Sequence, residues 1–331
     1  MWDWIKHRPQ RCLKFGADSI GWAERERNWC GRLHRRYVLS PLPAGVVNPS
    51  PTADNVPQPS TLASQVRALT GLEGKHRIKR GALLSELPRR IAVLLPDTAV
   101  RTTILYFDQV PIRRQEREAL IRWRLGQEQI FPLNNARVVS QVFDNHGEGS
   151  ERRYTVLAVA IQESVLRQYE SLCESVGLIP SEVGITSLRL VDLWKQVSPG
   201  ADWVGRDVLW MTLSDRSLTI LVFQRGQIVF YRCKLLGVDA SAGLLTPDLL
   251  NRVLDECRAS LEVCQQQHPS LDLHDAVICG DGEIASLQAE LQEQLRLAAQ
   301  PFGWKSIETL GWEARGSQQG MTSLAAIAGV S

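Results

Sequence analysis

Five arginines, Arg113, Arg114, Arg117, Arg122 and Arg124, recur in one short stretch, interleaved with Glu116, Glu118 and Glu128. At helical spacing such charges pair along their own helix, each i,i+4 pair contributing about 0.2–0.5 kcal/mol. The same face can instead meet an acidic partner or a membrane headgroup surface, but the interleaved glutamates dilute it and favour the internal pairs. The other reactive residue types are scattered. Seven cysteines, Cys12, Cys30, Cys173, Cys233, Cys257, Cys264 and Cys279, form no CxxC pair and are odd in number, which argues against a disulfide framework and a zinc site. Most lie in apolar segments and read as small buried hydrophobes, Cys257 and Cys264 among them on one helical face. His34, His146, His268 and His274 fall in turns or segments that read as exposed. No Ser/His/Asp or Cys/His set, metal-ligand spacing or paired-carboxylate pattern is present. What remains are two short glycine turns, Gly16-Ala17-Asp18-Ser19 and Gly280-Asp281-Gly282, where a missing side chain allows close backbone approach, although glycine and aspartate are common turn formers in any case.

The elements that must position these residues are clearest between Ile91 and Pro132. Ile91, Val93, Leu94 and Leu95 form a short apolar run ended by Pro96, and Thr102 to Phe107 is rich in β-branched and aromatic residues; both read as strands. After Asp108 the period changes. Pro111 suits a first helical turn, Leu120, Trp123, Gln127 and Ile130 then fall near one face, and Phe131-Pro132 stops the helix.

On the N-terminal side, residues 12–24 read as strand, glycine turn and strand, and Arg32 to Leu42 as a third strand. Asn48 to Ser60 holds four prolines among small polar residues and reads as a surface loop, followed by a helix from Leu62 to Leu69 capped by Ser60 or Thr61. Gly71 to Arg80 is basic and reads as exposed. On the C-terminal side, Arg137–Phe143 and Tyr154–Ile161 read as a hairpin around Asn145–Gly149. A helix from Glu163 to Val176 has Gly177 as its C′ residue. A strand over 178–185 and a helix over 187–194 follow, and 199–207 punctuates the chain. Val208–Leu213, Ser217–Gln224 and Gln227–Leu235 form a meander whose tight turn is Arg225-Gly226. Thr246 caps a helix with Pro247 at N1, its buried face formed by Leu250, Val253, Leu254, Cys257, Leu261 and Cys264. A strand at Ala276–Cys279, a helix from Ile284 to Ala299 and a small-residue helix from Leu324 to Gly329 complete the reading.

Composition is that of an ordinary globular chain: 331 residues, 44% hydrophobic and 22% charged, with 38 basic against 36 acidic residues for a net +2. That balance gives no reason to expect nucleic acid. The length suggests about two domains and burial of roughly 75% of the unfolded surface. No stretch approaches about 18 uninterrupted apolar residues, so no transmembrane segment is expected. The N-terminus lacks the apolar region of a secretory signal, which points to the cytoplasm. Trp2, Trp4 and Ile5 beside Lys6, Arg8 and Arg11 resemble a short interfacial tail, with a disordered tail the simpler reading.

The strand, proline, glutamate-containing helix and aromatic-proline stop at Val110–Pro132 resemble the inserted subdomain of PilM-type actin-like proteins of type IV pilus assembly. Leu42-Pro43-Ala44-Gly45-Val46-Val47 resembles a stretch after the family's first meander, and the similarity runs in order over about 12–330. It implies an α/β, actin-like (ribonuclease-H-like), two-lobed ATPase fold with an inserted strand-helix-strand-strand subdomain. On this reading 1–96 is the first lobe, 97–178 the insert, 179–198 the return to the first lobe, and 199–331 the second lobe.

The resemblance also implies ATP and magnesium as cofactors, held by three loops. In the first, of the form Gly-x-Asp-x-Gly-Ser/Thr, Gly16 and Asp18 match and Ser19 follows, but the second glycine is displaced to Gly21. The second loop, Asp-Ile-Gly in the family, falls on Thr212-Leu213-Ser214 and lacks the carboxylate. The third, a Gly-Gly, falls on Gly280-Asp281-Gly282, with Asp281 where the second glycine belongs. Three departures point to a degenerate nucleotide site. The implied function is a cytoplasmic scaffold, peripheral at the inner membrane, that binds the cytoplasmic N-terminal peptide of a PilN-like inner-membrane pilus protein and other pilus components. Arg113, Arg114, Arg117 and Trp123 are the partner-binding candidates. The alternatives are an active actin-like ATPase or sugar kinase, which needs a working second loop, and the cytoplasmic domain of a type II secretion platform protein, which usually continues into a transmembrane helix.

Overall fold

The computed structural model describes residues 9–27, 30–72, 89–128, 131–145, 153–198, 205–237, 246–280, 284–312 and 321–330. Residues 1–8 of the interfacial tail, the 146–149 turn, all of 73–88, residues 199–204 of the punctuation, Ile130, Asp281 and Gly282 lie outside them. The chain divides into two compact units, one built from 1–96, 166–199 and 303–331 and the other from 97–165 and 200–302.

The first unit holds a five-stranded sheet. Strands β1 (Arg11–Phe15), β2 (Ser19–Arg27) and β3 (Leu33–Pro41) form an antiparallel meander, and β4 (Arg89–Leu95) and β8 (Leu178–Ile185) extend it in parallel, in the order β3-β2-β1-β4-β8. The second unit repeats that plan with β9 (Asp207–Ser214), β10 (Ser217–Gln224), β11 (Gln227–Leu235), β12 (Leu273–Gly280) and β13 (Ala298–Pro301), in the order β11-β10-β9-β12-β13. β1, β4, β9 and β12 are central and carry near-continuous apolar runs because both their faces are covered. Two sheets of one topology are what the duplicated, ribonuclease-H-like reading requires.

The duplication extends to single residues. Phe15 pairs with Ile20 and Leu213 with Leu218, each pair closing a four-residue loop, Gly16–Ser19 or Ser214–Ser217. The Asp18 carbonyl accepts from the Leu42 amide at 2.8 Å, and the Arg216 carbonyl accepts from the Leu236 amide at 2.8 Å. Ser19 lies opposite Pro41 as Ser217 lies opposite Leu235. Only the final serine of the two loops is shared, so the repeat is one of backbone geometry. The second loop tightens around Asp215 and Arg216, both at positive φ.

Between β4 and β8 in the chain lie β5 (Arg101–Phe107), α2 (Arg114–Gln127), β6 (Ala136–Asn145) and β7 (Arg153–Gln162), a three-stranded sheet in the order β5-β7-β6 with a helix against it. The order of strand, helix, strand and strand is the one expected of the insertion, with three corrections inside it. The helix begins three residues after Pro111, with Arg113 at the cap position. Its buried face is Ile121 and Leu125, packed on Leu105, Val156 and Ala158, while Leu120 is only half-buried and Trp123 and Gln127 point outward. Arg122 also leaves the expected outward row, since its guanidinium donates to the Leu133 and Ala136 carbonyls.

Tyr106 fastens this insertion to β11. Its hydroxyl donates to the Val229 carbonyl at 2.6 Å and meets His268 Nε2 at 2.7 Å. A phenol has one proton, so with that proton given to Val229 the imidazole must donate from Nε2. His268 is therefore a half-buried tie, not the exposed histidine its position suggested, and burial holds its pKa below the ordinary range. A second tie joins the 3-10 turn Asp97–Ala99 to the same strand, the buried Asp97 carboxylate accepting from Tyr231 Oη at 2.7 Å.

In the first unit the helices are α1 (Pro59–Thr70), α3 (Glu163–Ser175), α4 (Thr186–Val197) and α7 (Met321–Ala328), and α7 packs on β1, β2 and α4. Gln58, not Ser60 or Thr61, occupies the α1 cap position, with no side-chain cap bond. In the second, α5 (Pro247–Gln267) starts as expected, with the Thr246 hydroxyl accepting from the Leu249 amide. α6 (Ala285–Leu295) stops earlier than its sequence suggests because Arg296 turns left-handed and the chain re-enters the sheet as β13.

The proline-rich loop before α1 is not merely a surface segment. Asn55 within it is fully buried; its Oδ1 accepts from the Ser50 amide, its Nδ2 meets Tyr169 Oη at 3.1 Å, and its amide donates to Gln168 Oε1 at 2.7 Å. Asn55→Ala keeps the backbone bond to Gln168 but removes the side-chain bonds to the Ser50 amide and Tyr169 Oη, and is expected to cost about 1–3 kcal/mol in thermal or urea unfolding. An unchanged midpoint would show that the loop is held by other means.

Candidate functional site

The first glycine loop is built by β1 and β2. Gly16 is buried, Asp18 and Ser19 are half-exposed, and both side-chain-bearing residues are engaged by their surroundings. Beneath the loop, Phe15 stacks at a tilt on Tyr169, with ring centres 5.1 Å apart. The displaced glycine, Gly21, is not in the loop at all. It lies within β2, directly opposite Lys14 of β1, whose other neighbour in the sheet is Leu94. Lys14 is 0% exposed and engaged by its surroundings. Lysine is almost never fully buried without a partner, so this residue matters more than its place in an apolar run, Cys12-Leu13-Lys14-Phe15, suggested. A lysine inside a central strand was the signal that sequence reading passed over.

In the second unit, Thr212 is 1% exposed and its hydroxyl accepts from the Trp210 indole at 2.8 Å. Leu213 packs in the core, and Ser214 is partly exposed, its carbonyl accepting from the Ser217 hydroxyl at 2.8 Å. Gly280 ends β12 against this hairpin. A Cβ there would lie 3.2 Å from Leu213 Cβ and 3.4 Å from Ile284 Cγ2, so the close packing of two strands already accounts for a glycine at that position. Gly282 lies outside the described residues.

Magnesium wants hard oxygen donors, usually one or two carboxylates with water and phosphate oxygens. At the inner ends of the two hairpins the residues are instead a lysine and a threonine committed to an indole. Among the described residues no group of three or more His, Cys, Asp or Glu side chains could hold a metal ion. The carboxylates of the two loops, Asp18 and Asp215, are engaged by their surroundings, and the residues at the inner positions do not fit a carboxylate-held magnesium nucleotide.

The outward face of α2 presents Ile112 (95% exposed) just before the helix and Trp123 (60% exposed) on it. Arg113 pairs with Glu116 at 3.3 Å, Arg114 with Glu118 at 2.9 Å and Arg124 with Glu128 at 3.9 Å. The Arg114 bond leads the effects that hold the Glu118 carboxyl below its usual range. Exposed pairs of this kind are screened by solvent and add little to stability. Arg113 and Arg114 lie near the start of the helix, Arg117 one turn on, half-buried, and Trp123 further along.

No protein-family model matches the chain, and no curated protein matches it by sequence. Solved structures do match. A Bacteroides thetaiotaomicron protein described as having an actin-like ATPase fold and unknown function superposes at a TM-score of 0.52 with 11% identity, over 94% of this chain and 98% of its own. Together with the twice-repeated sheet, this defines an actin-like ATPase fold. A chain of the PilM-PilN type IV pilus biogenesis complex superposes at a TM-score of 0.72 with 17% identity, over 98% of this chain and 100% of that one. The fold implied by the PilM resemblance is therefore present along nearly the whole chain. The cytoplasmic domain of EpsL, an inner membrane component of the Vibrio cholerae type II secretion system, matches 68% of this chain and 71% of its own at 9% identity and a TM-score of 0.37, which carries no weight. Among the described residues no helix is long and apolar enough to cross a membrane.

Proposed function

We propose that this chain is an actin-like scaffold of type IV pilus assembly, cytoplasmic and peripheral at the inner membrane through a partner. The partner is a PilN-like inner-membrane protein, gripped by its short cytoplasmic N-terminal peptide. The observation that carries this reading is the likeness over the full length of a chain from a PilM-PilN complex. On this reading the lobes run 1–96 with 179–198, and 199–331, and 97–178 forms the insert whose helix α2 contributes to partner binding.

Arg113, Arg114, Arg117 and Trp123 are the proposed contacts, since they combine fixed positive charge with an exposed aromatic ring. Gly16, Asp18, Ser19, Thr212, Ser214, Gly280 and Gly282 are the remnants of a nucleotide site that no longer turns over ATP.

The test is calorimetric titration of the full chain with the cytoplasmic N-terminal peptide of a co-encoded pilus membrane protein, with and without magnesium-ATP. Binding of equal strength in both conditions is expected. Replacing Arg113, Arg114 and Arg117 together by Glu is expected to weaken it at least tenfold, about 1.4 kcal/mol. Absence of binding by the unmodified chain would overturn the pilus assignment; binding unaffected by the triple replacement would remove the α2 face from it.

A further inference from the structure

The residue-level repeat shows something that neither hairpin shows alone. Phe15 and Leu213 are equivalent, because each closes its four-residue loop. The residue before Phe15 in the first unit is Lys14. The residue before Leu213 in the second unit is Thr212. Each of these lies beside the last turns of the adjoining parallel strand, Lys14 against Leu94 and Thr212 against Cys279. Both are almost wholly buried polar side chains, at 0% and 1% exposure. The same position in the two halves of one fold therefore holds a cation in one and a neutral hydroxyl in the other.

The surroundings of Lys14 suit a long side chain. Gly21 stands opposite it on β2 and contributes no side chain. A buried ammonium also has an electrostatic consequence. A divalent cation brought to the loop above it would meet like charge in a medium that screens poorly, and the one carboxylate of that loop, Asp18, is already engaged by its surroundings. The second unit gives no compensation at the equivalent place, since Thr212 already accepts from Trp210.

We propose that Lys14 is a resident cation of the first hairpin, so that the unit carries its own positive charge beneath the glycine loop and takes no divalent metal there. This rests on the actin-like reading of the loops and deepens it: the scaffold is independent of magnesium because a side chain occupies the metal's electrostatic role.

The experiment uses the full chain and needs no partner, so its outcome is separate from the peptide titration. Manganese binding is followed by electron paramagnetic resonance, and the thermal midpoint is followed with EDTA, with magnesium chloride and with magnesium-ATP. For the unmodified chain no bound manganese signal and a midpoint constant across all three conditions are expected. Bound manganese, or a midpoint raised by magnesium or magnesium-ATP, overturns the proposal. Lys14→Met keeps length and removes charge. A buried charge that is merely tolerated is often replaced by an apolar residue at no loss, so equal or greater stability of this variant also overturns it. A midpoint lowered by at least about 5 °C and not restored by magnesium supports it. If the variant does not fold, the metal and thermal measurements on the unmodified chain decide alone.

Discussion

Trp210→Ala is expected to lower the unfolding free energy by about 3–5 kcal/mol, the range for truncating a large aromatic in a closed core. Trp210 is fully buried in β9, its ring 5.5 Å from that of Phe302 at a tilt, and its indole is the donor to Thr212. The variant thus loses packing, a ring contact and a buried hydrogen bond together. Trp210→Phe separates these contributions. It keeps a ring near Phe302 but leaves the Thr212 hydroxyl without its donor, and about 1–3 kcal/mol should go with that. Urea unfolding of both variants checks the pair. If Trp210→Phe loses as much as Trp210→Ala, the hydrogen bond and not the packing dominates this part of the second sheet; if it loses nothing, the Thr212 bond contributes nothing net.

Gly329→Ala is the second large effect, and it comes from space, not from backbone freedom, because the residue does not have positive φ. A methyl group there would lie 2.8 Å from Cys12 Cβ and closer still to Cys12 Sγ, while Cys12 is fully buried in β1. Overfilling of this kind costs about 1–3 kcal/mol, since the end of α7 must lift from the strand. Cys12→Ala in the same chain removes the sulfur and should restore part of the loss, which a double-mutant cycle reads as coupling between the two sites. Burial also pushes the Cys12 thiol pKa up to about 12, so alkylation of this cysteine in the native protein should be slow and should accelerate in Gly329→Ala if α7 lifts. Additive losses with no change in labelling would show that the helix end accommodates the methyl group without moving.

These two sites show which parts of the structure local sequence could reveal. The β9–β10–β11 meander and the α5 start were readable because their signals are local: apolar runs, the Arg225-Gly226 turn with both residues at positive φ, and threonine before proline. The face of α2 was misread because Trp123 was counted with the apolar residues, whereas the buried pair Ile121 and Leu125 alone matches the i,i+4 spacing of the inner stripe. The loop around Asn55 was beyond local reading, since its partners Gln168 and Tyr169 are remote in the chain. The same holds for Tyr106 with Val229 and His268. For the candidate loops, the types of residue were visible but their geometry was not. Lys14 gained meaning only when strand pairing placed Gly21 opposite it and the second sheet supplied its counterpart.

The first unit is assembled from three separated stretches of chain, ending with 303–331, whereas the second is complete by residue 302. During synthesis the ribosome releases about 5–20 residues per second, N-terminus first. The first meander thus emerges well before the helix that covers it, because β1 and β2 wait for α7. Until α7 is made, Cys12 and its strand neighbours leave apolar surface open, and the unit complete by residue 302 can fold first. A chain that lacks α7 would leave that sheet open to chaperones and proteases.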